Sequence, residues 1–207
     1  MILGPRDSQF GSTPGVIRTR VGYAGGTTEN PTYRNIGDHS ETIQIEYDPT
    51  QISYEELLDI FWRSHGAQYR PPSRQYMSAI FYHDEEQRRL AMETKDREED
   101  RLGTKVYTEI TPFQGFYLAE GYHQKYRLRN SPNFMNEFHV MYPSDADFIA
   151  STAAARVNGY LGGYGSLAAL QAEANSLGLS PEATEELLDK VSARENRGSA
   201  ASDTCPA

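Results

Sequence analysis

Two stretches of the chain alternate apolar and polar residues with a period of two. They are VIRTRVGY at 16–23 and TIQIEY at 42–47, and each stops at a turn signal, Ala24-Gly25-Gly26 for the first and Asp48-Pro49 for the second. Period two puts successive side chains on opposite faces, so both read as strands with one buried face. The period then changes. Ser53, with Glu56 three residues on, is a capping box, and Leu57, Leu58, Ile60, Phe61 and Trp62 supply the stripe of a helix to about His65. Met77 to Tyr82 reads as a buried strand. His83-Asp84 opens a long charged helix that Gly103 ends, and Val106 to Ile110 is a further strand, with Phe113 to Glu120 continuing or crossing the sheet. This order predicts an α+β fold, a ferredoxin-like β-α-β plait of two layers with helices on one face of an antiparallel sheet, provided a strand and helix precede it.

After Tyr126 the pattern turns to short helices, through an alanine-rich stretch at 166–177 to Pro181 at the first turn of PEATEELLDKVSA. The expected organisation is an α+β domain over 1–130, a helical extension over 131–196 and a disordered, small and polar tail over 197–207. At 207 residues that is one domain with an appendage. The net charge of −9 argues against a nucleic-acid partner. No apolar run approaches the ~20 residues of a membrane span, and MILGPRDSQFG has too short an apolar core for a secretory signal. The single cysteine, Cys205, excludes an internal disulfide, which points to a reducing cytoplasm; a monomer is expected.

Five blocks occur in order along residues 4–129: GVIRTRVGYAGG, NPTYRNIGDHSE, YDPTQISYEELLDIFW, RQYMSAIFYHDEEQ and FYLAEGYHQKY. Together they resemble the peptide methionine sulfoxide reductase A family, and the NGYLGG block with its helical tail resembles the longer animal type. The resemblance implies reduction of methionine-S-sulfoxide in oxidised proteins or peptides, with thioredoxin as reductant and with neither cofactor nor metal. In the family a cysteine at the start of a helix attacks the sulfoxide sulfur, the helix N-terminus stabilising its thiolate, and a second cysteine resolves the sulfenic acid. Glu41 matches the general acid. Tyr33 and Tyr76 match the phenols that hold the sulfoxide oxygen, His39 a histidine near the acid, and Tyr122 and His123 the lining or buttress of the pocket. Cys205 fits a resolving cysteine or an incidental thiol. Each residue also has a plainer reading, as an edge-strand carboxylate, a packed loop tyrosine or a turn histidine. The acidic run His83 to Glu86 is a helix start and no metal site.

Some residues depart from the family pattern. Aligned backward from Gly15 and Phe10, the family's cysteine position falls on Ile2, or on Met1 with one inserted residue. The expectation is therefore a chain that lacks the first strand and the cysteine motif. That would make it either a shortened product of a reductase gene or a pseudoenzyme that binds oxidised methionine without reducing it; Cys205 as a substitute nucleophile is the remaining alternative. The segment 65–76 has no counterpart to the family's substrate-supporting aspartate, and Gly121 stands where an acidic residue is usual.

Overall fold

A computed structural model describes residues 3–202, with side chains from 6 to 198. Helix α1 (Leu3–Gly11) leads into strand β1 (Val16–Ala24), which returns antiparallel as β2 (Ser40–Tyr47). A bulge between Val16 and Arg18 resets the alternation, after which Thr19, Val21 and Tyr23 are buried while Arg18 and Arg20 reach Glu46 on β2. Helix α2 (Tyr54–Arg63) starts with the capping box read from Ser53 and Glu56. Strand β3 (Ala79–Tyr82), helix α3 (Glu85–Leu102) and strand β4 (Glu109–Pro112) form a crossover unit, and β5 (Phe116–Leu118) pairs antiparallel with β1. Gly103 ends α3 in the left-handed conformation, with φ of 65°, where a glycine carries no Cβ penalty.

The fold is α+β, but two features differ from the antiparallel plait expected. Strands β3 and β4 pair in parallel, as a helical crossover allows. The described strands also form two sheets, β2-β1-β5 and β3-β4, in place of one. Between them lies a cavity of about 240 Å³. Residues lining one face of a strand would alternate, yet this cavity is lined by every residue from Ser40 to Ile45 and from Met77 to Phe81. It therefore faces the edges of β2 and β3, with Phe10, Leu57, Leu58 and Phe61 of α1 and α2 against it.

The helical part holds α4 (Tyr126–Arg129), α5 (Pro132–Met141), α6 (Asp145–Ala150), α7 (Thr152–Leu161), α8 (Leu167–Glu173) and α9 (Pro181–Ser202). Helix α9 runs to Ser202, past Arg197 where composition places the start of a disordered tail. Residues 203–207, Cys205 among them, lie outside the described residues.

Polar ties fasten the two parts together. Gln124, fully buried, acts as a piece of strand: its amide donates to the Val21 and Ala119 carbonyls at 2.7 and 3.0 Å and accepts from the Val21 N–H at 3.0 Å. Asp7 of α1, also fully buried, meets the Lys125 ammonium at 3.4 Å, the Thr19 hydroxyl and the Asn158 amide of α7 at 3.2 Å. Asn158 in turn accepts from the backbone N–H groups of Arg127 and Leu128 at 2.9 and 3.2 Å. A buried ion pair of this kind persists only where such hydrogen bonds satisfy both charges.

Candidate active site

Glu41 is the second residue of β2 and stands opposite Tyr23 of β1 in the ladder. It lines the cavity beside Gln75 and Tyr76 of a 3₁₀ turn (Arg74–Tyr76), and the Gln75 amide donates to its carboxylate at 2.9 Å. That turn is pinned to the neighbouring loop. The Arg74 guanidinium donates to the Asp38 and Gly25 carbonyls at 3.3 Å and pairs with Glu109 at 2.7 Å, while the Ser40 hydroxyl donates to the Arg74 carbonyl at 2.8 Å.

Tyr33 sits on the tight turn that the reciprocal Thr32 and Asn35 backbone bonds close, at 3.2 and 3.0 Å. The neighbouring Tyr76 phenol, followed by burial and the nearby Glu41 charge, raises the Tyr33 phenol above its ordinary pKa. Glu41 and the Tyr76 phenol thus share an apolar cavity edged by Phe81, Phe113 and Phe116, with the Tyr33 phenol beside them. The loop that carries Tyr33 is held from within by Asp38, whose carboxylate accepts from the backbone and hydroxyl groups of Thr27 and Thr28 at 2.8–3.0 Å. These bonds, the Thr28 backbone first, hold the Asp38 carboxyl far below the usual carboxylate range.

His123 is 3% exposed, and its ring packs between Tyr33 and Tyr122, with centroids 4.6 and 4.1 Å away. Burial lowers its pKa, against the pull of Glu120 and Glu41. Tyr122 is 59% exposed, available to a ligand on its open face. Glu120 joins three of these groups: it accepts from the Tyr23 hydroxyl at 2.7 Å and from the Tyr33 backbone N–H at 3.0 Å, and it lies 3.9 Å from the His123 ring.

The structure brings Glu41, Tyr33, Tyr76, Tyr122 and His123 to one site. His39 it places elsewhere. His39 is 2% exposed; its Nδ1 accepts from the Gly26 N–H at 3.1 Å and its Nε2 donates to the Thr28 carbonyl at 2.8 Å. With both ring nitrogens engaged, His39 braces the loop, as its plainer reading as a turn histidine has it. Cys205 lies outside the described residues. Of the acidic run at 83–86, Asp84 caps α3 by accepting from the Gln87 N–H at 2.8 Å, and Glu85 and Glu86 pair with Arg88 and Arg89. Beside Gly121, Asp145 of α6 brings an oxygen within 2.7 Å of where a Cβ would stand, so a carboxylate from the helical part occupies that place. Gln75 and Glu120 were missed by sequence reasoning, although both stand inside the blocks quoted.

The family pattern described as peptide methionine sulfoxide reductase matches residues 6–156, and that described as the helical domain of selenoprotein methionine sulfoxide reductase A matches residues 144–191. A peptide methionine sulfoxide reductase of Drosophila melanogaster is 43% identical over 194 residues, covering 93% of this chain and 78% of its own length. Peptide methionine sulfoxide reductase A5 of Arabidopsis thaliana is 42% identical over 162 residues; the match takes in 74% of this chain and 62% of the plant protein. Among solved structures, methionine sulfoxide reductase A of Corynebacterium diphtheriae superposes with a TM-score of 0.53 at 30% identity, over 62% of this chain and 70% of that one. With a family pattern across most of its length and a relative matching nearly all of it, this chain belongs to the peptide methionine sulfoxide reductase family, oxidoreductases that act on a sulfur group.

Proposed function

We propose that the chain reduces methionine-S-sulfoxide in oxidised proteins or peptides, with thioredoxin as the electron donor. The observation that carries this reading is the placement of Glu41, held by Gln75, and Tyr76 on one apolar cavity, with the Tyr33 phenol close enough to feel both. Phenol O–H groups donate to the sulfoxide oxygen, which bears the larger negative charge as the S–O bond breaks. Glu41, steadied by Gln75, supplies the proton that oxygen needs. The aromatic rings around the cavity suit the apolar methyl and methylene groups flanking the sulfur.

The electrons come from thiols. The thiolate attacks the sulfoxide group and, as Glu41 protonates the oxygen, the S–O bond to the methionine sulfur breaks while one to the attacking sulfur forms, which leaves methionine as the thioether and the attacking thiol as a sulfenic acid. A second thiol condenses with it, releasing water and leaving a disulfide that thioredoxin reduces. Cys205 is the one cysteine of the 207 residues, and we assign it the resolving step. The described residues contain no thiol for the attack, so this step draws on a second thiol brought to the cavity.

The test is reduction of a methionine-S-sulfoxide peptide by the recombinant chain, with dithiothreitol or the thioredoxin system and methionine as the product counted. Turnover that falls at least about tenfold in Glu41→Gln is expected, the usual lower size of a general-acid contribution being about 10²-fold. Binding without turnover would overturn the reductase reading and leave a sulfoxide-binding module.

A further inference from the structure

We infer that Glu120 is a positioning residue, which sets Tyr33 in the place where its hydroxyl can meet a sulfoxide oxygen. This rests on the reading of Tyr33 as an oxygen donor.

Tyr33 is carried by the loop between β1 and β2, whose other residues are tied among themselves by Asp38 and His39. Two contacts come from another part of the chain, the turn that follows β5. The Glu120 carboxylate accepts the Tyr33 backbone N–H at 3.0 Å, and the His123 ring packs on the Tyr33 ring at 4.6 Å. Glu120 is itself oriented. Its other oxygen accepts from the Tyr23 hydroxyl at 2.7 Å, and Tyr23 is fully buried near the end of β1, the central strand of its sheet, paired there with both Glu41 and Tyr117. The carboxylate therefore connects a rigid strand to a mobile class of segment, and one residue fixes both the backbone of Tyr33 and, through the His123 turn, its ring. A second-layer carboxylate held in this way is how a site keeps a loop-borne side chain within the few tenths of an ångström that catalysis needs.

Charge supports the geometry. Burial penalises the Glu120 carboxylate, but bonds from Tyr23 and the Tyr33 backbone more than offset it, so its pKa lies below the ordinary value and it accepts both bonds at neutral pH. The same contact drives the Tyr23 phenol strongly upward, burial being the larger cause.

The experiment has two arms on the full chain. In the first, amide hydrogen exchange is measured for Tyr33 with no ligand present. Glu120→Ala should speed exchange at Tyr33 by at least about tenfold, since a lost N–H partner exposes that amide, while Tyr23→Phe, which removes the anchor of the carboxylate but keeps the Tyr33 bond, should speed it less. Unchanged Tyr33 exchange in Glu120→Ala would overturn the inference whatever the ligand does. In the second arm, affinity for an N-acetyl-methionine-S-sulfoxide amide is measured in a double-mutant cycle. Glu120→Ala should weaken binding about tenfold, Glu120→Gln should recover most of it because its carbonyl oxygen still accepts, and neither should matter further once Tyr33→Phe has removed the hydroxyl. If the Glu120 and Tyr33 effects simply multiply, Glu120 acts through general stability and the inference fails, while the reading of Tyr33 survives. If Tyr33→Phe itself leaves binding unchanged, Tyr33 is not the donor, and the inference falls with that reading.

Discussion

The helical part of the molecule packs around one continuous apolar cluster, from Leu128 and Phe134 through Phe138 and Phe148 to Leu187 and Val191, whereas the α+β part divides its core among three smaller clusters, two of which border the cavity. Atoms that line an empty space lose dispersion partners on one side. The half that carries Glu41, Tyr33 and Tyr76 is therefore held together less by packing and more by directed polar bonds: Arg74 across the loop, Asp38 within it, Gln124 along β1, and the buried Asp7, Lys125 and Asn158 that tie α1 to α7. The chemistry sits in the half with the weaker core, and the other half serves as its anchor.

Truncation of a core phenylalanine in each half puts the contrast to its most demanding trial. Phe138→Ala, in the continuous cluster and fully buried, should cost about 4 to 5 kcal/mol, near the top of the range for such changes, and Phe10→Ala, which already borders the cavity, less than about 3 kcal/mol. Denaturant unfolding of both variants measures this. Equal losses would break the contrast between the two halves.

Next in size is the tie itself. Lys125→Met leaves Asp7 buried without its cation and should destabilise the chain by about 3 kcal/mol, because removal of one partner of a buried pair exposes the full desolvation cost of the other. Hydrogen exchange should show α1 and β1 loosening before α5 and α9. Uniform loosening would mean that the two halves unfold as one unit.

The smallest expected effect is that of pH. His65 and His123, both in the α+β half, are held below the ordinary histidine value, burial being the first cause in each. The unfolded chain then takes up these protons before the folded one does. Stability is fully present above the unfolded value of about 6.5 and falls as pH drops below it. Thermal midpoints between pH 8 and 5 follow the loss, and His65→Gln should flatten the slope. A midpoint that rises on acidification would contradict the assignment.

The strands at 16–23 and 42–47 and the capping box at Ser53 were legible because each depends on near neighbours alone. Where a long-range partner decides the outcome, the pattern misleads. Val106 to Ile110 reads as a strand, but the Val106 N–H is spent on Glu99 at 3.1 Å and the Tyr107 N–H on the Ala67 carbonyl at 2.9 Å, so β4 begins only at Glu109. The parallel pairing of β3 and β4 leaves no mark in either strand's own composition. In the site, Glu41, Tyr33 and Tyr76 could be named from the motif blocks that carry them. Glu120 and Gln75 could not be singled out, since their roles come from contacts 87 and 34 residues away, and the sequence left His39 open between the acid and the turn because a histidine in a turn does not announce that both its nitrogens bond the loop backbone.

Calorimetric titration of the chain with the two epimers of an N-acetyl-methionine sulfoxide amide tests the site most directly. The S epimer should bind more tightly than the R epimer, and Tyr76→Phe should weaken the S epimer about tenfold, the worth of one well-placed hydrogen bond, with Cys205→Ser changing neither. Equal affinity for both epimers, or binding that neither Tyr76→Phe nor Tyr33→Phe alters, would contradict the placement of the sulfoxide beside Glu41.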